Sequence, residues 1–272
     1  VTPALASLRA VPTLLRVGFA EAAAYRTEMV VWVLSTTMPL VMMLLWTSIA
    51  DVAAVQGAGG AAWSSGDFVG YFLSVFIVRQ LVAAWAAWEL NFEIRQGTLA
   101  LRLLRPIHPL LAFATSNLAY LPLRTLVTLP VVALLVVTHR DALATDLRAW
   151  LLWPVSVACA WGITFFVNVT VGALAFVTDS SLKLMDLWFA FFFVFSGYLV
   201  PLELFPPWLE ALSAWLPFRY VLAVPVEVMT GRAAFDEALG LVLRQAAWLG
   251  VLGSVAAATW RFGVRRFQAF GG

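Results

Sequence analysis

Two histidines and one cysteine are the only metal-type nitrogen and sulfur ligands in this chain of 272 residues. None stands at the spacing that a metal site or an activated nucleophile requires. A zinc site needs three or four His, Cys or carboxylate ligands clustered at helical or hairpin spacing. Here His108 lies between Ile107 and Pro109, His139 adjoins Arg140, and Cys159 sits alone in an apolar run. A lone cysteine forms no intrachain disulfide. Serines and threonines are scattered through apolar stretches, where helix packing and internal hydrogen bonds use them routinely. The phosphate loop GxxxxGK[ST] is missing, so the chain has no P-loop route to ATP hydrolysis. Asp186 and Glu227 are the acids that an ion-coupled carrier or channel would use within a membrane. An intramembrane enzyme would need a reactive cluster, and a scaffold would need no conduit.

The chemistry that is present lies in charged and aromatic residues set against apolar sequence. Residues 89–109 read ELNFEIRQGTLALRLLRPIHP. Phe92, Leu99, Leu103 and Leu104 alternate there with Glu89, Glu93, Arg95, Arg102 and Arg105, which predicts a short amphipathic helix with a bend at Gly97 and a stop at Pro106. Such a helix docks in a protein groove or rests on lipid headgroups, and periodicity leaves both open. Arg79 interrupts a long apolar run. An arginine at mid-membrane costs about 2.5–3.5 kcal/mol on insertion scales, so it is expected to face protein or water. It shares a helical stripe with Phe72, Phe76 and Ala83. With Phe189, Phe192 and Phe195 these rings offer a lining for a path, the plainer reading being packing or lipid contact.

The elements that must position these residues follow from composition. With 62% apolar and 12% charged residues, the chain lacks the polar surface to coat a water-soluble globule of its size. Its apolar runs continue for about 20 residues, the length of helix that crosses about 30 Å of hydrocarbon. They do not alternate as barrel strands would. The expected fold is all-α: a single polytopic transmembrane domain over 1–272, with about six spans, at 30–50, 68–88, 118–137, 150–177, 184–200 and 239–260. Residues 4–26 precede them as an interfacial helix interrupted at Pro12, with Leu8, Leu15 and Ala22 on one face and Arg9 and Arg16 on another. Glycines at 57, 59, 60 and 66 make 51–67 a flexible loop. Pro201, Pro206, Pro207 and Pro217 chop 201–230 into pieces too short to cross, giving a re-entrant outer region that includes Trp208, Leu212, Trp215 and Leu216.

Basic residues fix the orientation. With the N-terminus inside, Arg9, Arg16, Arg26, Arg95, Arg102, Arg105, Lys183, Arg261, Arg265 and Arg266 are cytoplasmic, against Arg140, Arg148, Arg219 and Arg232 outside. Both termini are therefore expected in the cytoplasm. The net charge of +2 gives no basic patch for nucleic acid.

The inner segment carries the pattern E-I-R-x-G-x-L followed by L-L-R-P, in Glu93, Ile94, Arg95, Gly97, Leu99, Leu103, Leu104, Arg105 and Pro106. A second motif, F-S-G-x-L-V-P-L, occupies 195–202, followed by F-P-P-W and by L-P-F-R-Y at 216–220. In both motifs and in span layout the chain resembles the permease subunits of bacterial type-two ABC transporters. Thr98 departs from the acidic residue common at that turn. The resemblance implies a plasma-membrane protein in which two permease subunits, identical or similar, face each other. Their second and fifth spans line the path, and separate cytoplasmic ATPases bind ATP and Mg. The inner segment would be the coupling helix, with Glu93, Arg95, Gly97, Leu99, Leu103, Leu104, Arg105 and Pro106 at the ATPase contact. Phe72, Phe76, Arg79, Phe189, Phe192 and Phe195 would line the path, in export or lipid flipping, with no cofactor or catalytic group of the chain's own.

Overall fold

A computed structural model describes residues 3–24, 31, 34, 36–57 and 59–267. The architecture is all-α and polytopic. Four stretches of helix among the described residues are long and apolar enough to cross a membrane: Ser65–Arg95, Pro109–Thr138, Leu147–Phe176 and Phe235–Arg266. Two shorter apolar helices, Met38–Val52 (α2) and Lys183–Phe195, occupy the places of the first and fifth expected spans. The start of that first expected span falls largely outside the described residues.

Helix α1, Pro3–Ala24, runs unbroken through Pro12, where an interruption was expected. A proline removes one backbone bond and adds a clash, but packing along the rest of the helix offsets that cost. Here α1 lies close against Pro109–Ala119, with Gly18 beside Ala119 and Ser116. After α2 the chain forms a hairpin, Val55–Gln56 (β1) paired antiparallel with Ala62–Trp63 (β2), turning at Gly60 with φ 78°. The expected flexible loop thus holds an ordered ribbon.

The second span begins with a capping box. The Asp67 N–H donates to Ser64 Oγ at 3.3 Å, and the Ser64 N–H donates back to the Asp67 carboxylate at 2.9 Å. It continues as Ser65–Leu81 (α3), opens over residues 82–85, and resumes as Ala86–Arg95 (α4). Helix α3 is buried along nearly its whole length and forms the axis of the molecule. A left-handed Gly97 leads to Leu99–Leu103 (α5). The third span is Pro109–Ala119 (α6) and Leu121–Thr138 (α7), and the fourth is Leu147–Ala173 (α8). Helix α9, Lys183–Phe195, ends where Gly197 takes φ 82°, earlier than the expected boundary at 200. Pro207–Ser213 (α10), Pro217–Val221 (α11) and Ala223–Thr230 (α12) are the short pieces that the prolines impose.

The last span, Phe235–Arg266 (α13), packs on α8 through small residues. Leu249 reaches Gly162 and Phe166 reaches Gly253, while Phe176, in the turn that follows α8, reaches Gly263. Gly172 likewise brings α8 against Ala87 and Leu90 of α4. Apolar side chains on α2, α7 and α13 point outward, among them Leu44, Leu134, Val137, Leu243 and Val251. An exposed face of this kind suits lipid as its solvent.

Candidate functional site

Residues 82–85 read Val-Ala-Ala-Trp and contain no helix breaker. Polar side chains from three directions hold the gap open. The Trp85 N–H donates to Asn117 Oδ1 of α6 at 2.6 Å, and the Ala87 N–H donates to Asn168 Oδ1 of α8 at 3.2 Å. Arg124 of α7 donates from Nη1 to the Ala83 carbonyl at 3.0 Å. All three side chains are buried. Each amide is fixed in turn, Asn117 Nδ2 donating to the Phe113 carbonyl and Asn168 Nδ2 to the Thr164 carbonyl, both at 2.9 Å. Irregular backbone at membrane depth survives where protein groups satisfy it, and these do.

Arg79 occupies the last turn of α3, directly before the gap. It lines a cavity of about 20 Å³, together with Trp85, Thr164, Asn168, Met185, Trp188, Phe189 and Phe192. Its guanidinium lies 5.5 Å from the centre of the Phe192 ring. Among the described residues it makes no ion pair with a carboxylate. Arg124, whose guanidinium lies 5.8 Å from the Trp85 ring, is close enough for the two charges to repel. Of the residues expected along a path, Arg79, Phe189 and Phe192 meet here. Phe72 and Phe76 are buried elsewhere on α3, Phe72 against Phe68 and Tyr71, while Phe195 stacks with Phe191 and Phe218.

The segment expected to couple the chain to an ATPase, 89–109, begins four residues beyond the gap. Glu93 accepts from Arg102 Nε at 2.7 Å, and the Arg102 guanidinium also lies 4.5 Å from the Phe113 ring. Arg95 pairs with Asp179 at 3.0 Å, and Asn91 Nδ2 donates to Ser181 Oγ at 2.7 Å. These bonds tie α4 to the turn that opens α9. Leu99 is not available for a partner's groove, because it is fully buried among Leu90, Ile94 and Phe113. The apolar residues that stand out are Phe92, Leu101, Leu103 and Leu104, with Leu104 83% exposed. Arg105 and Pro106 are exposed at the end of the segment, and Gly97 turns with φ 71°. His108 caps α6, its Nδ1 accepting from the Leu110 N–H at 3.2 Å, and burial pulls its imidazole below the usual range.

At the opposite end, a cavity of about 500 Å³ is walled by Asp67, Asp141, Glu203, Glu210, Glu227 and Glu237, with Arg219 and Arg232. Arg232 bridges Glu203 at 2.8 Å and Asp67 at 3.3 Å, with its guanidinium over the Trp63 ring, so it clamps the hairpin and the start of α3 to the segment that holds Glu203. Glu227 pairs with Arg219 at 3.1 Å. Burial pushes the Glu227 carboxyl up, and the adjacent guanidinium opposes that shift. Asp186 is exposed on α9. No group of three or more His, Cys, Asp or Glu suited to a metal exists among the described residues.

Sequence reasoning left Arg124, Asn117 and Asn168 without a role. Their signal was present, since each is a polar residue inside an apolar run, but nothing in local spacing says that all three converge on one gap.

No curated protein matches the chain. The model of a family described as ABC-2 family transporter protein matches residues 30–271, from the first expected span to the penultimate residue. With this match over most of its length, the chain belongs to the ABC-2 family of transporter proteins.

Proposed function

We propose that this chain is the permease subunit of an ATP-driven exporter or flippase in a bacterial plasma membrane. It pairs with a second permease, identical or similar, and separate cytoplasmic ATPases supply ATP and Mg chemistry. The chain itself catalyses nothing. On this reading 89–109 receives motion from the ATPases, and the gap in the second span together with α9 forms part of the path. The observation that carries it is the build of the coupling segment. Its polar groups are taken up by the chain's own partners, Glu93 by Arg102, Arg95 by Asp179 and Asn91 by Ser181, while Phe92, Leu101 and Leu104 project outward unpacked.

A leucine buried at such a contact contributes about 1.5–3 kcal/mol, and a charge forced into the same groove is strongly disfavoured. The paired change Leu101→Asp and Leu104→Asp alters exposed side chains only, so insertion and folding are expected to persist. The tagged chain, purified from its native membranes, is expected to bring down an ABC ATPase and ATP hydrolysis with it, and the double variant to lose both. Full retention of both by the double variant overturns the coupling assignment.

A further inference from the structure

We propose that the gap in the second span is a seat for the anionic head of an amphiphile, with Arg79 as its ligand and the surrounding rings as a wall for its apolar body. The inference deepens the permease reading and rests on it, by naming the chemical class that the path accepts.

Three independent features of the gap point to this class. The first is charge. Arg79 lines the cavity, Arg124 holds the backbone of the same gap through the Ala83 carbonyl, and among the described residues no carboxylate lines the cavity. Intramembrane cations are normally paired with one another's counter-charges or with backbone carbonyls. Arg124 has such a carbonyl, that of Ala83, whereas among the described residues Arg79 has the face of Phe192 and the nearby Tyr198 hydroxyl but no carboxylate. An anion placed beside Arg79 is attracted by both arginines in a medium where charge is weakly screened.

The second feature is the wall. Trp85, Trp188, Phe189 and Phe192 line the same cavity as Arg79, with Phe192 against its guanidinium, and Asn168 and Thr164 supply the few polar groups. A single cation set in an aromatic cavity is complementary to a molecule with one anionic end and an apolar remainder. A hydrated ion or a sugar would find too few hydrogen-bond partners there.

The third is mobility. The cavity of about 20 Å³ holds little more than one water, so a larger guest needs one wall to move. Trp188, Phe189 and Phe192 all belong to α9, which has only Met185 and Phe192 deeply buried and is therefore lightly held. The inner end of α9 is tied through Ser181 and Asp179 to α4. The helix that must swing to admit the guest is thus joined to the coupling segment.

The test uses the full chain in discs of zwitterionic phosphatidylcholine and reads quenching of tryptophan fluorescence. The probes are a long-chain bromoalkyl sulfate, the matching alcohol and the matching trimethylammonium, each at low mole fraction. The sulfate is expected to quench saturably and the other two only by non-saturable partition. Trp85→Phe and Trp188→Phe should each diminish the saturable component. Arg79→Gln should weaken it at least about tenfold, the loss expected for a charge-assisted hydrogen bond, and Arg79→Lys should largely restore it. Equal saturable quenching by the alcohol or the ammonium overturns the proposal, as does undiminished sulfate binding in Arg79→Gln. Displacement of the probe by inorganic sulfate at the same concentration overturns the amphiphile and leaves a small-anion site in its place. If Arg79→Gln fails to assemble, the head-group comparison and the tryptophan variants on otherwise native protein still decide. No ATPase takes part, so failure here with ATPase association intact sinks this inference alone, while loss of coupling with probe binding intact sinks only the permease reading.

Discussion

A helix interrupted at 82–85 leaves backbone groups without their partners one turn away, and in hydrocarbon each such group costs several kcal/mol, roughly 2–7 by transfer measurements. Asn117 and Asn168 supply the missing acceptors and Arg124 the missing donor. Asn117→Ala therefore does more than remove a side-chain bond, because it deprives the Trp85 N–H of its acceptor in a place where water does not replace it. The expected loss is about 1–3 kcal/mol, or roughly 2–4 °C of apparent melting midpoint per kcal/mol, read by thermal unfolding of the detergent-purified protein. Substituting Thr125, whose exposed hydroxyl bonds only within its own helix, should leave the midpoint nearly unchanged. An Asn117→Ala protein as stable as the parent would mean that the gap does not depend on this bond. The arginine and asparagines were each visible in the sequence as polar residues within apolar runs. The gap was not, because Val82, Ala83, Ala84 and Trp85 are compatible with helix and only their neighbours in space keep them out of it.

On the proposed reading, segment 89–109 serves as a lever because its turn is fixed at the base. Gly97 lets the chain turn sharply between α4 and α5, the Glu93–Arg102 pair closes that turn, and Leu99 anchors it beneath. The amphipathic helix expected from 89–109 is thus two short helices folded on each other, and their apolar residues divide between an inward anchor and an outward ridge. Spacing alone could not make that division, since a left-handed turn resets the helical phase. The Arg95–Asp179 pair joins the lever to α9, and Asp179 is almost fully exposed. Exposed pairs contribute only about 0–1 kcal/mol to stability. Asp179→Ala is therefore expected to fold, insert and bind its ATPase normally, yet to lose part of the mechanical connection. Substrate-stimulated ATP hydrolysis in reconstituted vesicles should fall severalfold while basal hydrolysis stays level. Unchanged stimulation would show that the tie is incidental to coupling.

For the whole molecule, the all-helical polytopic class was legible in the long apolar runs, four of which form helices long and apolar enough to cross a membrane among the described residues. Lys183–Phe195 fell short of its expected boundary because Gly197 turns the chain, and Tyr71 closes that turn by donating from its hydroxyl to the Gly197 carbonyl at 2.8 Å. Orientation rests on where basic residues lie. The four arginines assigned outside each face a carboxylate: Arg140 beside Asp141, Arg148 on Asp146, Arg219 on Glu227, and Arg232 on Asp67 and Glu203. At the end that holds 89–109, Arg95 and Arg102 are likewise paired, with Asp179 and Glu93, while Arg105, Lys183, Arg261, Arg265 and Arg266 are solvent-accessible cations without carboxylate partners among the described residues. Lys and Arg near span ends resist translocation whatever acids lie beside them, so the excess of basic residues leads one to expect the end that holds 89–109 in the cytoplasm and the hairpin end outside. Single cysteines in a Cys159→Ala background test this directly. Gly59→Cys, at a position with open space around its Cβ, should react with a membrane-impermeant maleimide on intact cells. Gln96→Cys, exposed at the end of α4, should react only after permeabilisation. The opposite pattern would reverse the orientation and remove the coupling segment from any cytoplasmic ATPase, while leaving the fold itself untouched.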